Sequence, residues 1–351
     1  MTQRFHPLTL AEVRRETDEA VSIGFDVPEA LRETYRFVPG QYLTLRATID
    51  GEDVRRTYSI CSEPGEPLRV AIKQVPGGRF STFANQRLAK GEVLQVLPPQ
   101  GKFTVAARPQ TARHHVAFAA GSGITPIMSL LKTLLRQEPE SRFTLCFGNR
   151  GVRSILFRDE LCDLKNRYLN RLAIHHFLSR ERQGTPLYDG RLDRPRIERL
   201  LDTVLPPQQI DTVMICGPGE MIDETEAALV ARGFPATAIV TERFGVPVRA
   251  ARVEPQSDHA FRAEITLDGV RTRVAGQAGE TVLDAAIRAG LDLPFACRGG
   301  VCSTCRARLV AGQIQHAVNY ALEPWELEAG FVLSCQAHPQ SSHIEIDFDQ
   351  T

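Results

Sequence analysis

Cys297-Arg298-Gly299-Gly300-Val301-Cys302-Ser303-Thr304-Cys305 sets three thiols in the spacing C-x4-C-x2-C, and a fourth, Cys335, follows after 29 further residues. Thiolates so spaced are the ligand pattern of a plant-type [2Fe-2S] cluster, in which four sulfurs hold two irons. Gly299 and Gly300 lack Cβ and can take positive φ, so their loop can pass close to an inorganic centre and turn N–H groups toward sulfur. The competing reading is a zinc site with four thiolate ligands. Such sites pair two short-spaced knuckles, whereas here three cysteines share one glycine-rich loop and the fourth stands alone. A centre that carries one electron needs an electron source, and the chain before Cys297 is where to look for it.

Three stretches there have the chemistry to hold anionic, planar ligands. Arg56-Thr57-Tyr58-Ser59 offers a cation for phosphate, a ring for stacking and a hydroxyl for an edge hydrogen bond. Gly77-Gly78-Arg79-Phe80-Ser81-Thr82 opens an expected helix, and a helix N-terminus after a glycine pair is a ready anion site. A Gly-Gly pair is more often only a turn; the two motifs in this order carry more weight than either alone. Gly121-Ser122-Gly123-Ile124-Thr125-Pro126 follows a strand, with glycines for close phosphate approach, Thr125 to cap and Pro126 for the first helical turn. Cys216-Gly217-Pro218 follows a later strand in the same way. Both lie where a doubly wound sheet binds a dinucleotide, at its carboxyl edge. Cys216 is either an active-site thiol or a small buried core residue, the commoner fate of a free cysteine.

The elements that position these motifs change character along the chain. Residues 1 to 108 read as six short strands with turns between them, a small antiparallel β-barrel with one helix over Ser81–Leu88. Residues 109 to 244 alternate strand and helix, an α/β doubly wound parallel sheet. Residues 245 to 260, with Pro247, Pro255 and no periodicity, read as a linker. From 261 to 351, two strands flank the hairpin turn Asp268-Gly269, and a helix over Thr281–Ala289 ends at Gly290 ahead of the cysteine loop, a small α+β domain of β-grasp type. His114-His115 and His175-His176 fall in strands, where neighbouring side chains point to opposite faces, so they are read as structural or surface groups rather than a metal site.

Bulk composition narrows the function. The 351 residues exceed one core, and Lys+Arg and Asp+Glu each total 42, which leaves no net field for nucleic acid or an anionic membrane. No secretory signal is expected at Met1–Pro7, and the uncharged stretch from His114 to Leu131 is broken by glycines and Pro126. Cys61, Cys146, Cys162 and Cys216 show no paired spacing, which fits a reducing, cytoplasmic compartment.

With these residues laid out, the chain resembles the ferredoxin-NADP reductase superfamily in the order flavin barrel, nicotinamide domain, C-terminal ferredoxin. That resemblance implies FAD held by Arg56, Tyr58, Ser59 and Ile60, by Ile72 and Lys73, by Gly78, Arg79, Phe80 and Ser81, and by Thr125. It implies a nicotinamide cofactor at Gly121, Gly123, Pro126 and Arg150 and at Cys216, Gly217 and Pro218, with Glu242 and Phe244 beside the flavin. Tyr58, Ser59, Thr125 and Cys216 are the residues it would place at hydride transfer. Ser179-Arg180-Glu181 with Tyr188 resembles the arrangement that holds a 2′-phosphate, which favours NADPH over NADH; an exposed loop arginine is the alternative. Phe37 to Gly40, Arg55 to Cys61, Ala119 to Pro126, Phe147 to Arg150 and the segment from Asn319 to Gln336 resemble reductases of multicomponent di-iron oxygenases more closely, which implies an oxygenase acting on phenylacetyl-CoA as electron acceptor. A reductase for a Rieske-type ring-hydroxylating or steroid oxygenase, and a redox sensor without turnover, are the alternatives.

Overall fold

The computed structural model describes residues 4–245 and 260–350. The expected linker therefore lies outside the described residues apart from its two ends, as does the very start of the chain. Two compact units result: Pro7–Val54 with Tyr58–Phe244, and the C-terminal part, which Arg55–Thr57 and the N-terminal residues through His6 accompany.

In the first unit, six strands form one sheet: β1 (His6–Thr17), β2 (Ala20–Asp26), β3 (Tyr42–Ile49), β4 (Glu52–Ser59), β5 (Arg69–Lys73) and β6 (Val93–Val96), in the order β4-β3-β6-β1-β2-β5. An antiparallel bridge from Ile60 to Val70 joins the two ends of that order and closes the barrel. Closure removes exposed strand edges and leaves one helix, α1 (Arg79–Gln86), which starts two residues earlier than the sequence suggests because Gly78, not a serine, takes the N-cap place. The Asp50-Gly51 turn takes positive φ at both residues, as a tight hairpin of this twist requires.

The alternating region folds as β7 (His114–Ala120), α2 (Ile124–Gln137), β8 (Arg142–Asn149), α3 (Arg158–Arg167), β9 (Leu172–Leu178), α4 (Arg194–Thr203), β10 (Thr212–Cys216), α5 (Gly219–Val230) and β11 (Ile239–Glu242). Its five strands are all parallel in the order β11-β10-β7-β8-β9. The chain leaves β7 in one direction and returns to its other side with β10, so the switch point lies between these two strands. Helix α4 lies in a stretch for which the periodicity predicts no element, although Asp193 caps it through Arg196 N–H and Pro195 stands in its first turn. Barrel and parallel sheet share one apolar core: Ala20, Cys61, Ala71 and Phe103 pack with Ile127, Leu130, Leu131 and Leu134 of α2. Ser129 Oγ donates to the Ser62 carbonyl across that seam at 2.6 Å.

The second unit is a five-stranded mixed sheet built from β12 (Phe261–Leu267), β13 (Val270–Gly276), β14 (Arg306–Ala311), β16 (Phe331–Leu333) and β18 (His343–Asp347), in the order β13-β12-β18-β14-β16. A small pair, β15 (Ile314–His316) and β17 (Ala337–Pro339), and helices α6 (Val282–Arg288) and α7 (Pro324–Glu328) complete it. Asp268 and Gly269 both take positive φ at the β12–β13 turn, and Thr281 caps α6 through the Asp284 N–H. The parallel contact of β12 with the last strand, under a crossing helix, is the β-grasp arrangement.

Candidate cofactor sites

The four cysteines meet in the second unit as two pairs. Cys302 Sγ lies 3.0 Å from Cys297 Sγ, and the Cys305 thiol hydrogen-bonds Cys335. Two pairs are the division that two irons require. Gly299 N–H points at Cys297 Sγ at 3.4 Å, and the Cys302 hydrogen bond, with the Gly299, Val301 and Cys302 N–H groups, pulls the Cys297 thiol down to about 6 despite its burial. Gly300 N–H and Gln336 likewise favour the thiolate at Cys335, after the Cys305 hydrogen bond. Gly300 cannot be replaced in this loop: φ is +71°, and a Cβ would stand 2.7 Å from the Val318 carbonyl oxygen. A bed of donors around paired sulfurs suits an anionic iron–sulfur centre.

In the first unit, Ser59 ends β4 and its Oγ donates to Glu242 Oε2 at 3.0 Å, while the parallel register sets Cys216 opposite Glu242. Hydroxyl, carboxyl and thiol thus meet at the carboxyl edge of the sheet. Burial pushes the Glu242 carboxyl up to about 8, with the Ser59 hydrogen bond opposing it, and burial with Glu242 nearby pushes the Cys216 thiol up as well. Both shifts favour the uncharged forms. The native chain holds a proton on Glu242 that the unfolded chain releases near 4.5, so this group's stabilisation is full at acid pH and lost as pH rises through about 8. Infrared titration of the carboxyl is expected to give a midpoint near 8 that Glu242→Gln removes and Ser59→Ala moves higher. A midpoint in the ordinary carboxylate range would refute the assignment.

The turn after β7 is shaped for close approach. A Cβ on Gly123 would fall 2.0 Å from the Cys216 carbonyl oxygen, so the turn and the Cys216-Gly217-Pro218 segment touch backbone to backbone. Thr125 is not the cap: it lies inside α2, buried, and its Oγ1 donates back to the Ser122 carbonyl at 2.9 Å. Pro126 stands in the first turn of α2, as expected.

Several other expected ligands have their side chains engaged elsewhere. Ile60 and Ile72 are fully buried in the barrel core, which leaves only their backbone for a ligand. Ser81 Oγ accepts from Val75 N–H and bonds the Gly78 carbonyl, bracing the glycine turn, and a Cβ on Gly78 would strike it at 2.4 Å. Arg79 is tied to Glu52 and to the Ile49 carbonyl, and Arg56 donates to the Arg55 carbonyl. The Tyr58 ring packs at 5.6 Å from Phe80. Phe244 is exposed, as are Ser179 and Arg180, and Glu181 receives the Val152 N–H instead of facing a ligand. Tyr188 stacks on His175 at 17° and hydrogen-bonds its Nδ1 at 3.1 Å. His114 and His115 are bonded to Thr144 and to Glu138, which makes them structural. The Ser59–Glu242 contact has no signal in the sequence, since 183 residues separate the partners.

These two sites and three folded parts define an electron-transfer oxidoreductase that uses FAD, a nicotinamide dinucleotide and a [2Fe-2S] cluster. Residues 7–105 match the oxidoreductase FAD-binding domain, 118–227 the oxidoreductase NAD-binding domain and 265–340 the 2Fe-2S iron-sulfur cluster binding domain. The chain belongs to the family of flavin- and [2Fe-2S]-dependent reductases that includes a component of the 1,2-phenylacetyl-CoA epoxidase of Escherichia coli strain K12, with which it is 45% identical over 98% of each chain. It is 34% identical to the ferredoxin reductase component of 3-ketosteroid-9-alpha-monooxygenase from Rhodococcus rhodochrous, over 97% of this chain and 96% of that one. The solved structure of phthalate dioxygenase reductase shares its fold, with a TM-score of 0.59 and 22% identity over 98% of both chains. Among the described residues no helix is long and apolar enough to cross a membrane.

Proposed function

We propose that this chain is the reductase of a multicomponent oxygenase, drawing on NADPH and delivering electrons to a di-iron component that acts on phenylacetyl-CoA, in the breakdown of phenylacetate. The end-to-end similarity to the Escherichia coli phenylacetyl-CoA epoxidase component carries this reading of the acceptor. A bound flavin would supply two-electron hydride chemistry and a bound [2Fe-2S] cluster one-electron transfer. The protein supplies order and position. Tyr58 and Ser59 on β4 would hold the flavin ring, with Arg56 and the Gly78–Ser81 turn at its phosphates. Gly121, Gly123 and Thr125 would receive the dinucleotide, and Cys216 with Gly217 and Pro218 would bound the nicotinamide. Glu242, neutral beside Ser59, would offer a proton donor at the ring edge without adding charge. Cys297, Cys302, Cys305 and Cys335 would ligate the two irons as the pairs described. The domain limits that accompany this assignment are 1–108 for FAD, 109–244 for the dinucleotide and 261–351 for the cluster. Four further cysteines, Cys61, Cys146, Cys162 and Cys216, are free thiols, which favours a cytoplasmic setting.

Arg180 carries the preference for NADPH, being an exposed guanidinium next to Ser179 and near Tyr188 in sequence. The test is reconstitution with purified oxygenase components. Phenylacetyl-CoA turnover should be supported, and Arg180→Gln should raise KM for NADPH about ten- to a hundredfold while sparing NADH. Support of only a steroid or ring-hydroxylating oxygenase would overturn the acceptor, and an equal effect on both dinucleotides would overturn the role of Arg180.

A further inference from the structure

Lys73, Arg150 and Glu19 converge from three separate elements, with the Lys73 ammonium beside the Gly121 turn. Glu19 sits at the tip of the β1–β2 hairpin, where its backbone is held: its carbonyl accepts Gln74 N–H at 2.7 Å and its N–H donates to Thr17 Oγ1 at 3.3 Å. Its carboxylate faces two cations at once, Lys73 Nζ at 3.9 Å and Arg150 Nη1 at 3.5 Å. Lys73 ends β5 with its stem largely buried, and its ammonium lies 3.8 Å from where a Cβ on Gly121 would be. Arg150 follows the end of β8, on the same edge of the sheet.

Burial and the neighbouring Arg150 both make the Lys73 charge costly, and Glu19 is what relieves it. Yet the relief is loose. Both contacts are beyond hydrogen-bond length, and the Glu19 side chain is half exposed, so the carboxylate is a weak and exchangeable partner. A phosphate oxygen entering the Gly121 turn would come within reach of the same ammonium and would be repelled by the carboxylate.

We propose that Glu19 is a place-holding anion, which neutralises Lys73 and Arg150 in the free enzyme and is displaced by the pyrophosphate of the nicotinamide dinucleotide. This rests on the dinucleotide reading of the Gly121 turn, and it gives the Lys73 ammonium, beside Gly121, to the dinucleotide instead of to the flavin that the resemblance implies. Removing the charge at Glu19 frees both cations without altering the ligand's contacts, so affinity rises, and so does its sensitivity to salt. Glu19 thereby limits how tightly the dinucleotide, and the spent form after hydride loss, is held.

The experiment is calorimetric titration of the oxidised holoenzyme with NADP+, at low and high salt, for the wild type, Glu19→Gln and Arg150→Gln. Glu19→Gln is expected to bind NADP+ about three- to tenfold more tightly at low salt, with the gain shrinking at high salt. Unchanged or weaker binding overturns the proposal. If Arg150→Gln weakens binding while Glu19→Gln changes nothing, the dinucleotide site stands and the role of Glu19 falls. If neither variant alters NADP+ binding, the dinucleotide reading of the turn falls, and the proposal with it.

Discussion

Cys302→Ser is expected to abolish reduction of cytochrome c while NADPH-driven reduction of ferricyanide continues at close to the wild-type rate. Cys302 is buried and forms one of the two thiol pairs with Cys297, so its loss leaves one iron short of a ligand. Changes to groups that merely support a ligand already cost about ten- to a hundredfold in metal affinity, and a lost ligand costs at least as much. Of the residues proposed for the flavin, Tyr58, Ser59 and the Gly78–Ser81 turn belong to the other compact unit, and the substitution changes none of them. The two acceptors therefore separate the cofactors: ferricyanide reads electrons from the flavin, cytochrome c those that have passed the cluster. The cluster's visible absorption and electron paramagnetic resonance should be lost in parallel. Equal loss of both activities would refute this order of electron flow, and retention of both would refute the ligand assignment.

Gly123→Ala is expected to destabilise the first unit by about 1–3 kcal/mol and to weaken NADP+ binding at least about tenfold. Gly123 has ordinary helical φ, so alanine meets no backbone strain there; the obstacle is the Cys216 carbonyl oxygen 2.0 Å from the added methyl. The carbonyl is backbone at the end of β10 and a Cβ is fixed rigidly to the turn that follows β7, the adjacent parallel strand, so neither can swing aside as the far end of a side chain would. Room appears only if the strand ends part, and that is where the two dinucleotide segments meet. Gly121→Ala is the comparison for stability. Its φ is +54°, which costs alanine about 1 kcal/mol, but a Cβ there meets nothing nearer than Lys73 Nζ at 3.8 Å. Both glycines are proposed to receive the dinucleotide, so both variants should weaken binding, but only Gly123→Ala should also part the strand ends and lose the larger share of stability. Equal losses of stability in the two variants would show that backbone conformation, not the approach of the strands, governs the turn.

Both expectations draw on features of different legibility. The cysteine spacing, the turns Asp50-Gly51 and Asp268-Gly269, the helix beginning near Thr281 and its stop at Gly290 are all readable, because each is imposed by neighbours a few residues away; that Thr281 caps the helix rather than opening it is seen only in the structure. Helix α4 escapes the periodicity although its signal, Asp193 with Pro195, is equally local. Thr125 reads as a cap in sequence because a hydroxyl near a helix start has two local partners, and only the built turn shows that it bonds back to Ser122. Ile60 and Ile72 carry a motif's pattern, but the barrel's inward face takes their side chains.

The amino-acid order alone specifies the kinds of chemistry present and their succession along the chain: a thiol loop for iron, glycine turns for phosphate, a barrel before a parallel sheet before a β-grasp domain. Such information is contiguous, since ligand spacing, chirality and periodicity act over short stretches. Which distant groups meet is a matter of packing. Folding pairs the four thiols two by two, brings Ser59 to Glu242 through the core that barrel and sheet share, and sets Glu19 between Lys73 and Arg150. Apart from Cys297 and Cys302, which share one loop, those partners meet only through the packing of whole elements, and no short window of sequence contains both.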